Sequence, residues 1–152
     1  MQFRVVLVGD GPLRAELQQR SADCGLADIV TWCGWCSKEQ LLVHYHAADC
    51  FVNPSLYEGM PNTVLEAMAC GLPVLASNVP GNDAVVWPGE TGFLFPLGDN
   101  ARLVAAMLRL LGDPAMVRNM GDAARSRVGT DFSWKNVAQR YVELIAGPRA
   151  AK

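Results

Sequence analysis

Short apolar runs alternate with amphipathic stretches over the first two-thirds of the chain. Phe3–Val8, Asp28–Cys33, Asp49–Asn53, Pro73–Ser77 and Gly92–Phe95 read as strands. Leu13–Cys24, Ser37–Ala47 and Asn62–Cys70 read as helices between them, with Ser37 as an N-cap and Gln40 as its capping-box partner. The strands are continuously apolar rather than alternating, which is the pattern of a parallel sheet covered by helices on both faces. From about Asn100 the pattern turns wholly helical. Leu103, Met107, Leu110 and Leu111 form a stripe, Asp113-Pro114 restarts the chain into a helix near Ala115–Val128, and Ser133 caps a last helix that Gly147-Pro148 ends. The expected fold is therefore α/β, a Rossmann-like parallel sheet followed by an all-helical C-terminal segment. No internal repeat, low-complexity segment or linker interrupts it. We expect one domain over residues 1–147 and a frayed tail over 148–152.

Composition narrows the partners. The chain has 152 residues, half of them apolar, enough for a substantial core. Its net charge of −2 argues against nucleic acid and against an electrostatic membrane patch. No apolar run reaches the length of a membrane span. The five cysteines, Cys24, Cys33, Cys36, Cys50 and Cys70, are odd in number and scattered, which suggests a reduced, cytoplasmic protein. His44 and His46 face apart on a helix, so no metal site is expected.

The candidate chemistry concentrates between Ser55 and Pro73. Glu58 and Glu66 stand eight apart, the first in a loop after a strand and the second in the first turn of a helix, with Pro61 suited to the first helical position. Backbone N–H groups at such a helix start favour an anion. Two carboxylates bracketing that point suit a ligand with both hydroxyls and phosphate. Ligands of open α/β sheets bind at the carboxyl ends of strands, where Glu58 lies.

Several strings together resemble the retaining GT-B glycosyltransferases of the family-4 type, also called glycosyl transferases group 1. They are Asp49-Cys50-Phe51-Val52-Asn53-Pro54-Ser55, Glu58-Gly59, Glu66-Ala67-Met68-Ala69, Gly71 and Pro73-Val74. Leu7-Val8-Gly9-Asp10-Gly11-Pro12, Gly89-Glu90-Thr91-Gly92 and Phe132-Ser133-Trp134 agree with them in order. The resemblance implies the C-terminal, donor-binding half of a two-lobed enzyme. That enzyme transfers a hexose from a UDP-, GDP- or ADP-linked sugar with retention, without metal or other cofactor. Glu58 and Glu66 would form the family's E-x7-E motif, Glu66 on the ribose hydroxyls and Glu58 on the transferred sugar. Gly59, Met60 and Pro61 would run beside that sugar, and the N–H groups of Asn62, Thr63 and Val64 would meet the diphosphate. Trp35 and Cys36 would lie at the base, and Gly9 and Gly11 in a tight turn at the donor cleft that Pro12 leads into a helix. The implied partner is an N-terminal acceptor-binding domain, through which the protein would sit peripherally on a membrane. Alone, the chain is expected to bind donor, turn over poorly, and self-associate through the apolar face of its last helix.

Two departures from the family pattern stand out. The strand and loop that supply an Arg and a Lys for the diphosphate are absent. Phe3–Val8 must then pair directly with Asp49–Asn53, or the sheet has a gap that another chain fills. The family's usual glutamate in Val79-Pro80-Gly81-Asn82-Asp83-Ala84 is replaced by Ala84.

Plainer readings compete at each position. Thr63-Val64-Leu65-Glu66 also matches a capping box, with Thr63 as N-cap. Gly9-Asp10-Gly11-Pro12-Leu13-Arg14 is a poor dinucleotide fingerprint, because Arg14 takes the third glycine position. Cys33-Gly34-Trp35-Cys36 has the spacing of a thioredoxin-like redox protein, a reading that leaves Glu58 through Pro73 unexplained. A non-catalytic interaction module is the remaining alternative.

Overall fold

The computed structural model describes residues 3–147. Met1, Gln2 and the expected tail, Pro148–Lys152, lie outside the described residues. The chain divides into two units, Met1–Ala47 and Ala48–Lys152.

The first unit runs β1 (Val5–Val8), α1 (Arg14–Asp23), β2 (Val30–Gly34) and α2 (Lys38–Ala47). Its strands are parallel, with Val5 opposite Val30 and Leu7 opposite Trp32. The register then slips so that Val8 faces Gly34. The Gly9 amide extends the pairing to the Gly34 carbonyl at 2.8 Å. Helix α2 opens as its sequence predicts. Gln40 donates its backbone N–H to Ser37 Oγ at 3.3 Å, and its side-chain oxygen accepts the Ser37 N–H at 2.9 Å. Pro12 lies in the turn before α1 rather than in the helix, because the Arg14 amide closes a turn onto the Gly11 carbonyl at 3.1 Å.

The second unit continues with β3 (Phe51–Asn53), α3 (Asn62–Ala69), β4 (Val74–Ser77), α4 (Asn82–Val85), β5 (Gly92–Phe95), α5 (Asn100–Gly112), α6 (Pro114–Asp131) and α7 (Trp134–Ala146). Its sheet is parallel in the order β3-β4-β5, with Val74 between Phe51 and Gly92. Alternate β4 side chains face opposite ways. Val74 and Ala76 pack with Val64, Met68, Val85, Val86 and Ala124 on one side, while Leu75 packs with Phe95, Ala106, Leu110 and Met120 on the other. Both faces are thus covered, and burial of each large aliphatic side chain contributes about 1.5–3 kcal/mol. The expected parallel pairing is found within each unit, β1 with β2 in the first and β3-β4-β5 in the second.

The C-terminal helices follow their capping residues. Asp113 accepts the amides of Ala115 and Met116 at 3.1 and 2.9 Å and starts α6 at Pro114. Ser133 accepts the Asn136 amide at 3.3 Å and starts α7. Helix α6 outruns its expected end by three residues. Helix α4 has no counterpart in the sequence reading, since Pro80 and Gly81 mask a four-residue element.

Candidate functional site

In the second unit, β3 ends at Asn53 and the chain forms a loop over 54–61 before α3. Glu58 is half-buried in that loop, where its sequence position put it. The loop is held from inside by Asn53, which is only 5% exposed. Asn53 Oδ1 accepts the Ser55 amide at 3.0 Å, and Asn53 Nδ2 donates to Glu58 Oε1 at 3.1 Å.

A second support comes from β4 and α4. Ser77 Oγ donates to the Ser55 carbonyl at 2.5 Å, and the fully buried Asn82 donates from Nδ2 to the Ser77 carbonyl at 3.0 Å and to Ser77 Oγ at 3.3 Å. Gly81 passes so close to the loop that a Cβ there would stand 2.7 Å from the Glu58 carbonyl oxygen and 2.9 Å from that of Gly59. Its φ of +94° independently selects glycine. Arg127 holds the other end of α4. Its Nε donates to the Val85 carbonyl and its Nη2 to the Ala84 carbonyl, each at 2.9 Å, and the guanidinium stacks 3.5 Å above the centre of the Trp87 ring. Nη1 lies 3.4 Å from Asp131 Oδ2, an ion-pair distance without hydrogen-bond geometry. The segment around Ala84 is therefore organised through its backbone carbonyls, by an arginine from α6.

Pro61 departs from expectation by one position. Its φ of −79° and ψ of 77° are those of an inverse γ-turn, closed by the Asn62 amide on the Met60 carbonyl at 2.9 Å. Pro61 is therefore the residue before the helix, not its first member. The proline ring supplies the required φ without strain. Two consequences follow. The Asn62 amide is engaged and does not contribute a free N–H, whereas the Val64 amide precedes the first ladder bond, from Leu65 to the Pro61 carbonyl at 3.0 Å. Thr63 lies inside the helix and is not its N-cap, and Glu66 sits just past the first turn.

Val64, Ala67 and Met68 turn toward the core, and Asn62, Thr63 and Glu66, at i, i+1 and i+4, share the exposed face. Gly59 and Met60 are exposed at the loop's tip. At the far end of α3, Arg125 from α6 donates to the Cys70 carbonyl at 2.8 Å. Burial pushes the Cys70 thiol up from its ordinary range; Arg125 opposes this and Glu66 adds to it.

An open depression of about 470 Å³ lies elsewhere in the unit, lined by Glu90, Arg109, Asp113 and Asn119 among others. It adjoins the turn entering β5, the strand end opposite to the one that carries Glu58.

The remaining candidates belong to the first unit. Gly9 adopts φ +129° and pairs with Gly34, and the Gly11 amide is taken by Asp10 Oδ1 at 2.8 Å. Arg14 binds Asp10 Oδ2 at 3.1 Å and lies over Gly34, where a Cβ would meet its Nη1 at 2.8 Å. That arginine fills the turn a dinucleotide fingerprint would keep open. Trp35 is 83% exposed and Cys36 half-buried, both just after β2. Cys33 sits within β2 and α2 begins only at Lys38, so the two thiols do not share a helix start as a thioredoxin-like site requires. All five cysteines are free thiols. Among the described residues no cluster of three or more His, Cys, Asp or Glu stands ready for a metal, and no helix is long and apolar enough to cross a membrane.

Sequence reasoning missed Asn53, Ser77, Asn82 and Arg127. Asn53 carried a signal, being a polar residue at the end of an otherwise apolar strand. Arg127 carried none, since the carbonyls it binds are more than forty residues away.

A parallel ladder with helices on both faces, and with the Glu58 loop leading from a strand end into a helix, is a Rossmann-like α/β arrangement. The chain belongs to the glycosyl transferases group 1 family, whose model matches residues 1–127. It is 32% identical to a GDP-mannose-dependent α-(1-6)-phosphatidylinositol monomannoside mannosyltransferase of Mycolicibacterium smegmatis, over 97% of this chain and 41% of that protein. Sucrose-phosphate synthase from Thermosynechococcus elongatus superposes with a TM-score of 0.83 at 38% identity, covering 94% of this chain and 39% of that one. Anabaena Alr3699/HepE in complex with UDP-glucose superposes with a TM-score of 0.82 at 26% identity, covering 94% and 40%. The chain thus spans about two-fifths of the length of these relatives. Its GT-B fold is that of their C-terminal region.

Proposed function

We propose that this chain is the donor-binding part of a retaining, metal-independent hexosyltransferase that uses a nucleoside-diphosphate sugar. The observation that carries the reading is the family match through the β3–α3 junction, where Glu58, the Pro61 turn and Glu66 follow one another. Glu66, on the exposed face of α3, holds the vicinal ribose hydroxyls, which one carboxylate accepts through charge-assisted bonds. Glu58 contacts the transferred sugar, and the backbone of Gly59, Met60 and Pro61 runs beside it. The start of α3 takes the diphosphate through the Thr63 and Val64 amides and the helix dipole, the Asn62 amide being engaged by Met60.

The chemistry follows from that placement. The bond from the anomeric carbon to the diphosphate breaks, and negative charge grows on the leaving oxygens. Fixed N–H donors interact more strongly with that developing charge than with the ground state, which lowers the barrier. An acceptor-binding lobe completes the enzyme by holding the acceptor hydroxyl against the anomeric carbon, to which its oxygen bonds as the diphosphate leaves, the hydroxyl proton departing with the diphosphate. The named relatives, GDP-mannose-dependent in one case and solved with UDP-glucose in another, make both donors the first to try.

Isothermal titration with UDP, GDP and ADP and their hexose conjugates tests the proposal. We expect micromolar to millimolar binding of one nucleotide class, weakened at least tenfold in Glu66→Gln through the loss of charge-assisted bonds. No heat and no amide shifts in Gly59–Glu66 at saturating nucleotide would overturn it.

A further inference from the structure

We infer that Asn53 is the positioning residue of Glu58, fixing which carboxylate oxygen meets the transferred sugar. The inference rests on the reading of Glu58 as the sugar contact. It is carried by the two bonds of one buried side chain. Asn53 ends β3, where the sheet fixes its backbone through pairing with Ala76. At 5% exposure its amide has no solvent to turn toward, and it spans the loop by accepting from Ser55 at 3.0 Å and donating to Glu58 Oε1 at 3.1 Å. A hydrogen-bonded Oδ1 leaves the amide only one orientation, so Nδ2 points at Glu58. Oε1 is thereby engaged from the protein side, and Oε2 is the oxygen turned to a sugar hydroxyl.

The loop that carries Glu58 cannot relax away from this arrangement freely. Ser77 Oγ holds the Ser55 carbonyl from β4, and the Gly81 backbone lies against the carbonyls of Glu58 and Gly59. The main chain on both sides of Glu58 is therefore fixed, and the side-chain torsions are what Asn53 decides. In Asn53→Asp the acceptor to Ser55 survives, the donor is lost, and a carboxylate faces Glu58, which repels it from the sugar position.

The test compares each nucleotide with its sugar conjugate on the full chain: UDP with UDP-glucose, and GDP with GDP-mannose. In the wild type we expect the conjugate to bind more tightly than the nucleotide. In Asn53→Asp we expect conjugate affinity to fall on the order of tenfold with nucleotide affinity unchanged, since only the sugar contact is lost. A general loosening of the fold would weaken both members of a pair alike. An unchanged conjugate-to-nucleotide ratio in Asn53→Asp overturns the inference while leaving the donor-binding reading intact. A wild type that binds neither pair overturns the donor-binding reading itself. Should Asn53→Asp fail to fold, NMR on Glu58→Gln provides the readout: the Asn53 side-chain amide resonances move and those of Asn82 stay. Stationary Asn53 resonances in Glu58→Gln overturn the inference.

Discussion

Replacing Gly81 by alanine should expose how closely the α4 turn and the Glu58 loop are fitted. Two costs combine. An L-residue at φ +94° loses about 1–2 kcal/mol, of which the stiffer unfolded chain returns about 0.4–1 kcal/mol. The added methyl also stands 2.7 and 2.9 Å from two carbonyl oxygens, closer than backbone atoms tolerate, and the resulting displacement costs about 1–3 kcal/mol more. Gly98→Ala isolates the first cost, because Gly98 has φ +79° and nothing within 4 Å of its would-be Cβ. We expect about 1 kcal/mol for Gly98→Ala and about 2–4 kcal/mol for Gly81→Ala, or roughly 2–4 °C of melting temperature per kcal/mol in a chain of this size. Thermal unfolding by circular dichroism measures both. Titration with UDP-glucose and GDP-mannose should show weaker conjugate binding in Gly81→Ala alone, since that methyl pushes on Glu58 itself. Equal melting temperatures for the two variants, or an undisturbed Gly81→Ala site, would refute the steric argument.

Arg127→Lys should cost about 2–4 kcal/mol in thermal unfolding, because an ammonium cannot serve the Ala84 and Val85 carbonyls while stacking on Trp87; a loss under about 0.5 kcal/mol would show the contacts to be incidental. Asp113→Ala should cost about 1 kcal/mol by uncapping α6, and Asp113→Asn should recover most of it in the same melt. Burial, with the Asp49 charge adding to it, pushes the Cys50 thiol above its ordinary range. The folded protein therefore keeps the Cys50 proton to a higher pH than the unfolded chain does. That contribution to stability is whole below the unfolded thiol value of about 8.5 and is lost as pH rises through the folded one. Urea midpoints from pH 7 to 10 should fall less steeply in Cys50→Ala than in the wild type, and parallel slopes would contradict this.

Much of the fold was legible because its signals are local. Continuous apolar runs gave the five strands, the Ser37–Gln40 and Ser133 caps gave the starts of α2 and α7, and the Glu58–Glu66 spacing gave the loop and α3. What the sequence did not show is set by distance along the chain. Strand order is one case: β4 stands between β3 and β5, and apolar runs of similar character leave that order open. The Pro61 shift by one position turned on a single ψ angle that proline leaves open. The Ser77–Asn82 support and the Arg127 clamp join residues by side-chain geometry alone, and a serine, an asparagine and an arginine on those elements read as ordinary polar positions. Asn53 lay within the string that carried the family resemblance, yet its partner is chosen by the loop's path and not by spacing.

Strand β4 has a consequence for how the protein opens. All four of its residues are buried, it is laddered on both edges, and its last residue, Ser77, carries the brace under the Glu58 loop. Helix α7, by contrast, has no buried residue. Deuterium should therefore enter α7 amides early and those of Leu75 and Ala76 last, only through opening of the whole unit. The Glu58 loop, moored to the slowest-exchanging strand, outlasts the partial unfolding that frays the chain's periphery.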